Sequence, residues 1–283
     1  MSWFNVVTGR FFDLLQAPLT GLAPFWGVLL WSIPVSVFAL YVFKWSSNQD
    51  RIAAVKREIQ AGLFEIRLFN DDLRAILRAQ GEILRHVLRY QGLALKPMIW
   101  ILPPVVVVMV QLHAFYGFRG LEPGSSALLT VELDRSWAAR LAGAAAPEVG
   151  LELPDGVVAE TPAVWAADLA EVVWRLNTTQ PGRYTVTVPV DDSRYDKDLA
   201  ALDGAVRRSP ERPSTGFLGQ LEWPSEAPLP ADGPVRRISL AYPDGRIGLL
   251  GFELEWSYGW MVVFFGLTIV LAVALKRPLG VEL

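Results

Sequence analysis

The sequence predicts an α-helical membrane protein interrupted by one all-β domain, on three observations. Residues 25–43 (FWGVLLWSIPVSVFALYVF), 98–116 (MIWILPPVVVVMVQLHAFY) and 258–275 (YGWMVVFFGLTIVLAVAL) contain no Asp, Glu, Lys or Arg. Each is close to the roughly 20 residues that one bilayer crossing takes. Residues 44–97 repeat apolar positions at helical spacing, and residues 120–255 alternate apolar with polar positions between turn signals. The 283 residues are 52% hydrophobic with a mean hydropathy of +0.30, too apolar for an ordinary soluble domain.

Charge orients the spans. Residues 44–96 hold ten Lys and Arg against six Asp and Glu, whereas residues 117–256 hold thirteen against twenty-one. Lys276 and Arg277 follow the third span directly. Basic residues beside span ends favour the cytoplasmic side. The expected arrangement therefore has residues 44–97 and the tail, 276–283, in the cytoplasm. The N-terminus and residues 117–256 lie outside, in a bacterial inner (plasma) membrane. The first apolar block lacks the basic leader and small-residue cleavage site of a secretory signal, so it reads as a retained span. The chain has no Cys, so thiolate metal sites and disulfides do not arise.

In chain order, residues 1–17 place Trp3, Phe4, Val7, Phe11, Leu14 and Leu15 toward one side of a short helix lying in the outer interface. Span one (25–43) carries Pro34, which predicts a kink, and Ser32 and Ser36 four residues apart on one face. The arm (44–97) reads as two helices. One follows Ile52, Val55, Ile59, Leu63 and Ile66. The other follows Leu73, Ile76/Leu77, Ile83/Leu84 and Val87/Leu88. Residues 68–72 break the pattern, with Asn70 or Asp71 placed to cap the second helix. A short connection predicts an antiparallel hairpin whose apolar residues fill its own seam. One lever helix continuous through residue 90 is the alternative. Span two (98–116) holds Pro103 and Pro104, then Gln111 and His113 near its outer end. His113 reads as an interfacial residue, and with His86 the only other His no metal site is expected.

Within residues 120–255, strands are predicted at 128–133, 149–153, 171–176, 183–190 and 235–242, and residues 197–234 read as a long irregular connection. Trp174, followed by Pro181-Gly182 and then Tyr184, Val186 and Val188, resembles the core Trp strand and Tyr strand of immunoglobulin-like sandwiches. Asp191, Asp192, Asp196 and Asp198 read as a solvated acidic loop. No nucleophile–base set, phosphate loop or metal cluster appears, so neither an enzyme nor a cofactor is expected.

The order of elements resembles the Oxa/YidC superfamily of membrane-protein insertases: amphipathic helix, span, cytoplasmic helical hairpin, span, outer segment, span. The resemblance extends to residues 90–98 (YQGLALKPM) and the Pro- and Gln-containing span after them, and covers residues 1–120 and 257–283. The three-span layout is similar to the archaeal members and to the third subunit of the ER membrane complex. Their bacterial relatives carry an Arg in the first span; here Lys44, at its cytoplasmic end, is the nearest cation. The resemblance implies a polar intramembrane groove that guides client transmembrane segments into the bilayer. Ser32 and Ser36 of span one, Gln111 of span two and Thr268 of span three are its candidate lining, with Lys44 and Lys96 at its mouth. The partners it implies are client membrane proteins or nascent chains and the lipid bilayer. A ribosome or another membrane subunit would meet the hairpin, and no nucleic acid is involved. The alternative is a non-catalytic envelope protein whose exported sandwich binds a partner, with the spans as anchor.

Overall fold

The computed structural model describes residues 2–68, 73–141, 149–214, 216–249 and 251–281. The chain divides into two compact units, Met1–Val28 with Val107–Val263, and Leu29–Val106 with Phe264–Leu283.

Among the described residues, three helices are long and apolar enough to cross a membrane: α2 (Pro24–Ser46), α5 (Met98–Tyr116) and α8 (Gly259–Leu279). Pro24 opens α2 at the first helical position, where no backbone N–H is needed. The end of α8 is fixed by backbone chemistry. Gly280 takes a left-handed φ of 61°, its N–H bonds the Arg277 carbonyl at 3.0 Å, and the Val281 N–H bonds the Lys276 carbonyl at 2.9 Å. This pairing closes a helix end without strain only when a glycine stands there.

The unit built from Leu29–Val106 and Phe264–Leu283 contains the arm. It is two helices, α3 (Gln49–Leu68) and α4 (Leu73–Leu95), so the hairpin holds rather than the single lever. Asn48 caps α3, its Oδ1 accepting from the Arg51 N–H at 3.0 Å. The expected cap at Asn70 or Asp71 lies outside the described residues. Three contacts set an antiparallel register. Gly62 lies against Ile83, so that a Cβ would come within 2.7 Å of its Cγ1. Glu58 Oε2 stands 2.9 Å from His86 Nδ1, and Lys56 Nζ lies 5.9 Å over the Tyr90 ring. Ile52, Val55 and Ala79 are buried in the hairpin unit. The seam expectation is corrected in one respect: Leu63, Leu73, Leu77, Leu84 and Leu88 are exposed. In each adjacent apolar pair on α4 the residues sit about 100° apart, so both cannot face one partner.

The other unit holds α1 (Ser2–Gln16) and the β domain. α1 buries Asn5, Gly9, Phe12 and Gln16 and exposes Trp3, Phe4, Val7, Phe11 and Leu14. Phe12 is thus the one large apolar side chain that α1 packs away, and most of its apolar residues are bare. The β domain is sandwich-like. One sheet runs β2-β4-β1-β8-β7, with β3 also paired to β4. These strands are β1 (Ser126–Leu133), β2 (Val157–Ala159), β3 (Val164–Ala166), β4 (Glu171–Thr178), β7 (Glu211–Pro213) and β8 (Val235–Leu240). A second layer is the hairpin β5 (Gly182–Val190) with β6 (Ser193–Ala201), bridged at Val190 and Thr187 by residues Val149 and Glu152. A smaller hairpin, β9 (Arg246–Leu249) with β10 (Phe252–Glu255), precedes α8. Alternate residues of both layers meet in one core: Leu129 and Val131 of β1, Val172 and Trp174 of β4, Val186 and Val188 of β5. Trp174 is 4% exposed and sits opposite Leu129 on the neighbouring strand.

Two expectations fail here. Residues 149–153 make isolated bridges and not a strand. Residues 197–234 are not irregular throughout: they contain the second half of β6, β7 and a short helix, α7 (Phe217–Glu222). Another short helix, α6 (Arg135–Leu141), starts on Asp134, whose Oδ1 accepts from the N–H groups of Ser136 at 3.0 Å and Trp137 at 3.1 Å.

Candidate functional site

In the hairpin-bearing unit, Ser32 and Ser36 are fully buried on α2. The Ser36 hydroxyl donates to the Ser32 carbonyl at 2.6 Å and lies 3.3 Å from the Thr268 carbonyl of α8. Pro34 frees the carbonyl one turn before it, that of Leu30. The Ser36 hydroxyl serves a different carbonyl, so it is not a repair of the proline site. The Thr268 hydroxyl turns back to the Phe264 carbonyl at 2.7 Å. The structure therefore brings Ser32, Ser36 and Thr268 into one polar seam between α2 and α8, inside otherwise uncharged segments.

Lys44 has a definite partner. Its Nζ donates to the Leu279 carbonyl at 2.7 Å, in the last turn of α8. A cation there meets the negative end of the helix dipole and a carbonyl with no intrahelical donor. Lys96 is exposed in the two-residue link between α4 and α5.

Gln111 belongs to the β-domain unit. Its Nε2 donates to Thr8 Oγ1 at 3.3 Å, and its Oε1 accepts from Arg207 Nη2 at 2.9 Å. Arg207 also donates from Nε to Asp13 Oδ1 at 2.6 Å, and its guanidinium lies 4.6 Å over the Phe115 ring. The Gln111 amide is thus satisfied by α1 and by the loop after β6. Neighbouring Arg208 is buried and acts on the chain itself. Nη1 donates to the Phe118 carbonyl at 2.9 Å, and Nη2 to the Leu202 and Gly204 carbonyls at 2.7 and 2.9 Å. Burial lowers its pKa to about 10, which leaves it cationic at neutral pH.

His113, expected at the interface, is 6% exposed within an aromatic cage. Tyr258 stacks on it with ring centres 5.0 Å apart, Phe118 meets it edge-on at 5.1 Å, and Trp260 Nε1 donates to its Nδ1 at 3.3 Å. A nitrogen that accepts carries no proton, so the proton sits on Nε2, which finds no acceptor among the described residues. No span motif announces this cage: its rings come from two stretches, 113–118 and 258–260, that are about 140 residues apart.

The sequence reading missed Arg207, Asp13 and Thr8. The one available signal was the uncompensated Gln111, which in an apolar span demands a partner. Which partner it finds depends on a loop nearly a hundred residues away. No protein-family model, no curated protein and no solved structure matches the chain.

Proposed function

We propose that this chain is an integral membrane protein that guides client transmembrane segments into the bilayer, in the manner of the Oxa/YidC insertases it resembles. In this reading the hairpin and the tail are cytoplasmic, and the β domain, an immunoglobulin-like sandwich, lies outside. The observation that carries it is the polar seam: Ser32 and Ser36, both fully buried, beside the Thr268 backbone in segments with no charge. A span serving only as anchor gains little from burying hydroxyls. A seam of hydroxyls and backbone carbonyls between two spans offers hydrogen-bonding groups to a polar client segment that hydrocarbon cannot. Parting of α2 from α8 would open it, and Lys44, held on the last turn of α8, would stand at its cytoplasmic end. No chemical step is involved, and the work is solvation of polar groups during passage.

A photo-crosslinker at Ser36 tests this. In vesicles translating a membrane protein, position 36 is expected to capture the nascent segment, and reversing the charge at Lys44 to reduce that capture. Labelling confined to lipid and neighbouring spans contradicts insertion.

The alternative, a partner-binding sandwich on a helical anchor, is favoured by a different observation. The Ser36 and Thr268 hydroxyls and the Lys44 ammonium all have partners on the chain's own backbone. The same crosslinking result separates the two.

A further inference from the structure

α4 has an outer face with two bands. Leu73, Leu77, Leu84, Leu88 and Leu95 are all exposed, between 59% and 69%. They follow one another by four, seven, four and seven residues, so at about 100° per residue they share an arc of about 60°. Arg74, Arg78, Arg85 and Arg89 are exposed and fall in the adjoining arc. Arg78, Arg85 and Arg89 enter none of the ion pairs among the described residues. Facing α3 are other residues, Ile83 and His86 among them. The leucine band is therefore surplus to the hairpin.

We propose that this face of α4 docks on the anionic lipid surface of the membrane that the spans cross, so that the hairpin lies against the bilayer. The charge fits, because α4 carries four Arg against the single acid Glu82. Cytoplasmic leaflets present anionic headgroups, and a basic residue held near them contributes about 1 kcal/mol of attraction. The shape fits too. The band is a straight ridge about 33 Å long on one helix. Helical peptides are held instead in grooves that close on several sides of them. Arginines beside a leucine band can reach headgroups while the leucines enter the acyl boundary. Position agrees: two residues separate Leu95 from span α5, and exposed Trp45 and Trp100 mark the interfacial ends of α2 and α5. The proposal rests on the spans crossing a bilayer and does not depend on the insertion reading.

The chain has no Cys, so one environment-sensitive label can be placed by Leu84→Cys in the full protein in nanodiscs. In phosphatidylcholine with phosphatidylglycerol, the label at position 84 should shift to the blue, lose quenching by aqueous iodide and gain quenching by lipid-borne doxyl groups. High salt, or Arg78→Gln with Arg85→Gln and Arg89→Gln, should reverse all three changes. A label placed by Glu82→Cys, just beyond the arginine arc and about 150° round α4 from the middle of the leucine band, should stay open to iodide throughout. Iodide access at position 84 in the discs that contain phosphatidylglycerol overturns the proposal. So does shielding that appears in phosphatidylcholine alone only when an acidic apolar peptide is added, because the face would then be a protein site.

Discussion

Arg207 Nη2 donates to Gln111 Oε1 at 2.9 Å, while Nε of the same guanidinium donates to Asp13 Oδ1 at 2.6 Å. One side chain from the loop after β6 thus ties α1 to α5 and satisfies an amide that hydrocarbon could not. Arg207→Met keeps much of the packing over Phe115 and removes the donors. It should destabilise the β-domain unit by about 1.5–3 kcal/mol, as loss of charged hydrogen bonds does. Hydrogen exchange in α1 should accelerate. Unchanged protection of α1 would mean that its apolar contacts alone hold it.

Trp174→Ala should destabilise the β domain by about 3–5 kcal/mol, the cost of deleting a large buried ring. The ring is 4% exposed and belongs to the core shared by both layers. The check is the thermal or urea midpoint of excised residues 120–255, followed by near-ultraviolet circular dichroism. A midpoint within error of the parent would put the ring outside the core.

Asp134 predicts a pH dependence. Hydrogen bonds from Ser136, Arg236 and the Trp137 N–H hold its carboxyl well below the usual carboxylate range. A depressed folded pKa contributes stability that is complete above the unfolded value, about 3.9, and is lost as pH falls toward the folded value. Asp134→Asn should therefore lower the midpoint at neutral pH and flatten its decline in acid. Parallel acid profiles for parent and variant would contradict this cap.

Topology is testable on exposed positions. Phe252, 76% exposed on the β9–β10 hairpin, and Glu82 on α4 can each be replaced by the chain's only cysteine. A membrane-impermeant maleimide should label Phe252→Cys from outside intact cells and Glu82→Cys only after lysis. The opposite pattern would invert the orientation.

The three long apolar helices were legible because an uncharged run of about twenty residues matches the length that a bilayer crossing takes. β1, β4 and β5 were legible because their core positions alternate cleanly; β8, whose buried Val235, Ile238 and Leu240 are spaced by three and two, was legible by its apolar content and the Pro243-Asp244-Gly245 turn signal after it. β6 was not, because Lys197 occupies a core position in it. Lys197 is fully buried, and its Nζ donates to Glu226 and to the Ser209 carbonyl. Asp196 and Asp198 beside it point outward and resemble a solvated loop, although Asp196 accepts from the Thr187 hydroxyl at 2.7 Å. A strand that buries a cation is readable only with its counter-ion, and Glu226 lies about thirty residues on. The candidate site was legible in part. Ser32 and Ser36 share a face by spacing alone, but the engagement of Lys44 with Leu279 and of Gln111 with Arg207 required the fold.

The most direct test of the central claim is insertion by the purified protein. Proteoliposomes with and without the full chain would receive a membrane protein as it is translated, and protease protection of its translocated tail would be measured. The account predicts protection above empty liposomes, reduced by reversing the charge at Lys44 and by Ser36→Leu. Equal protection with and without the protein would contradict it.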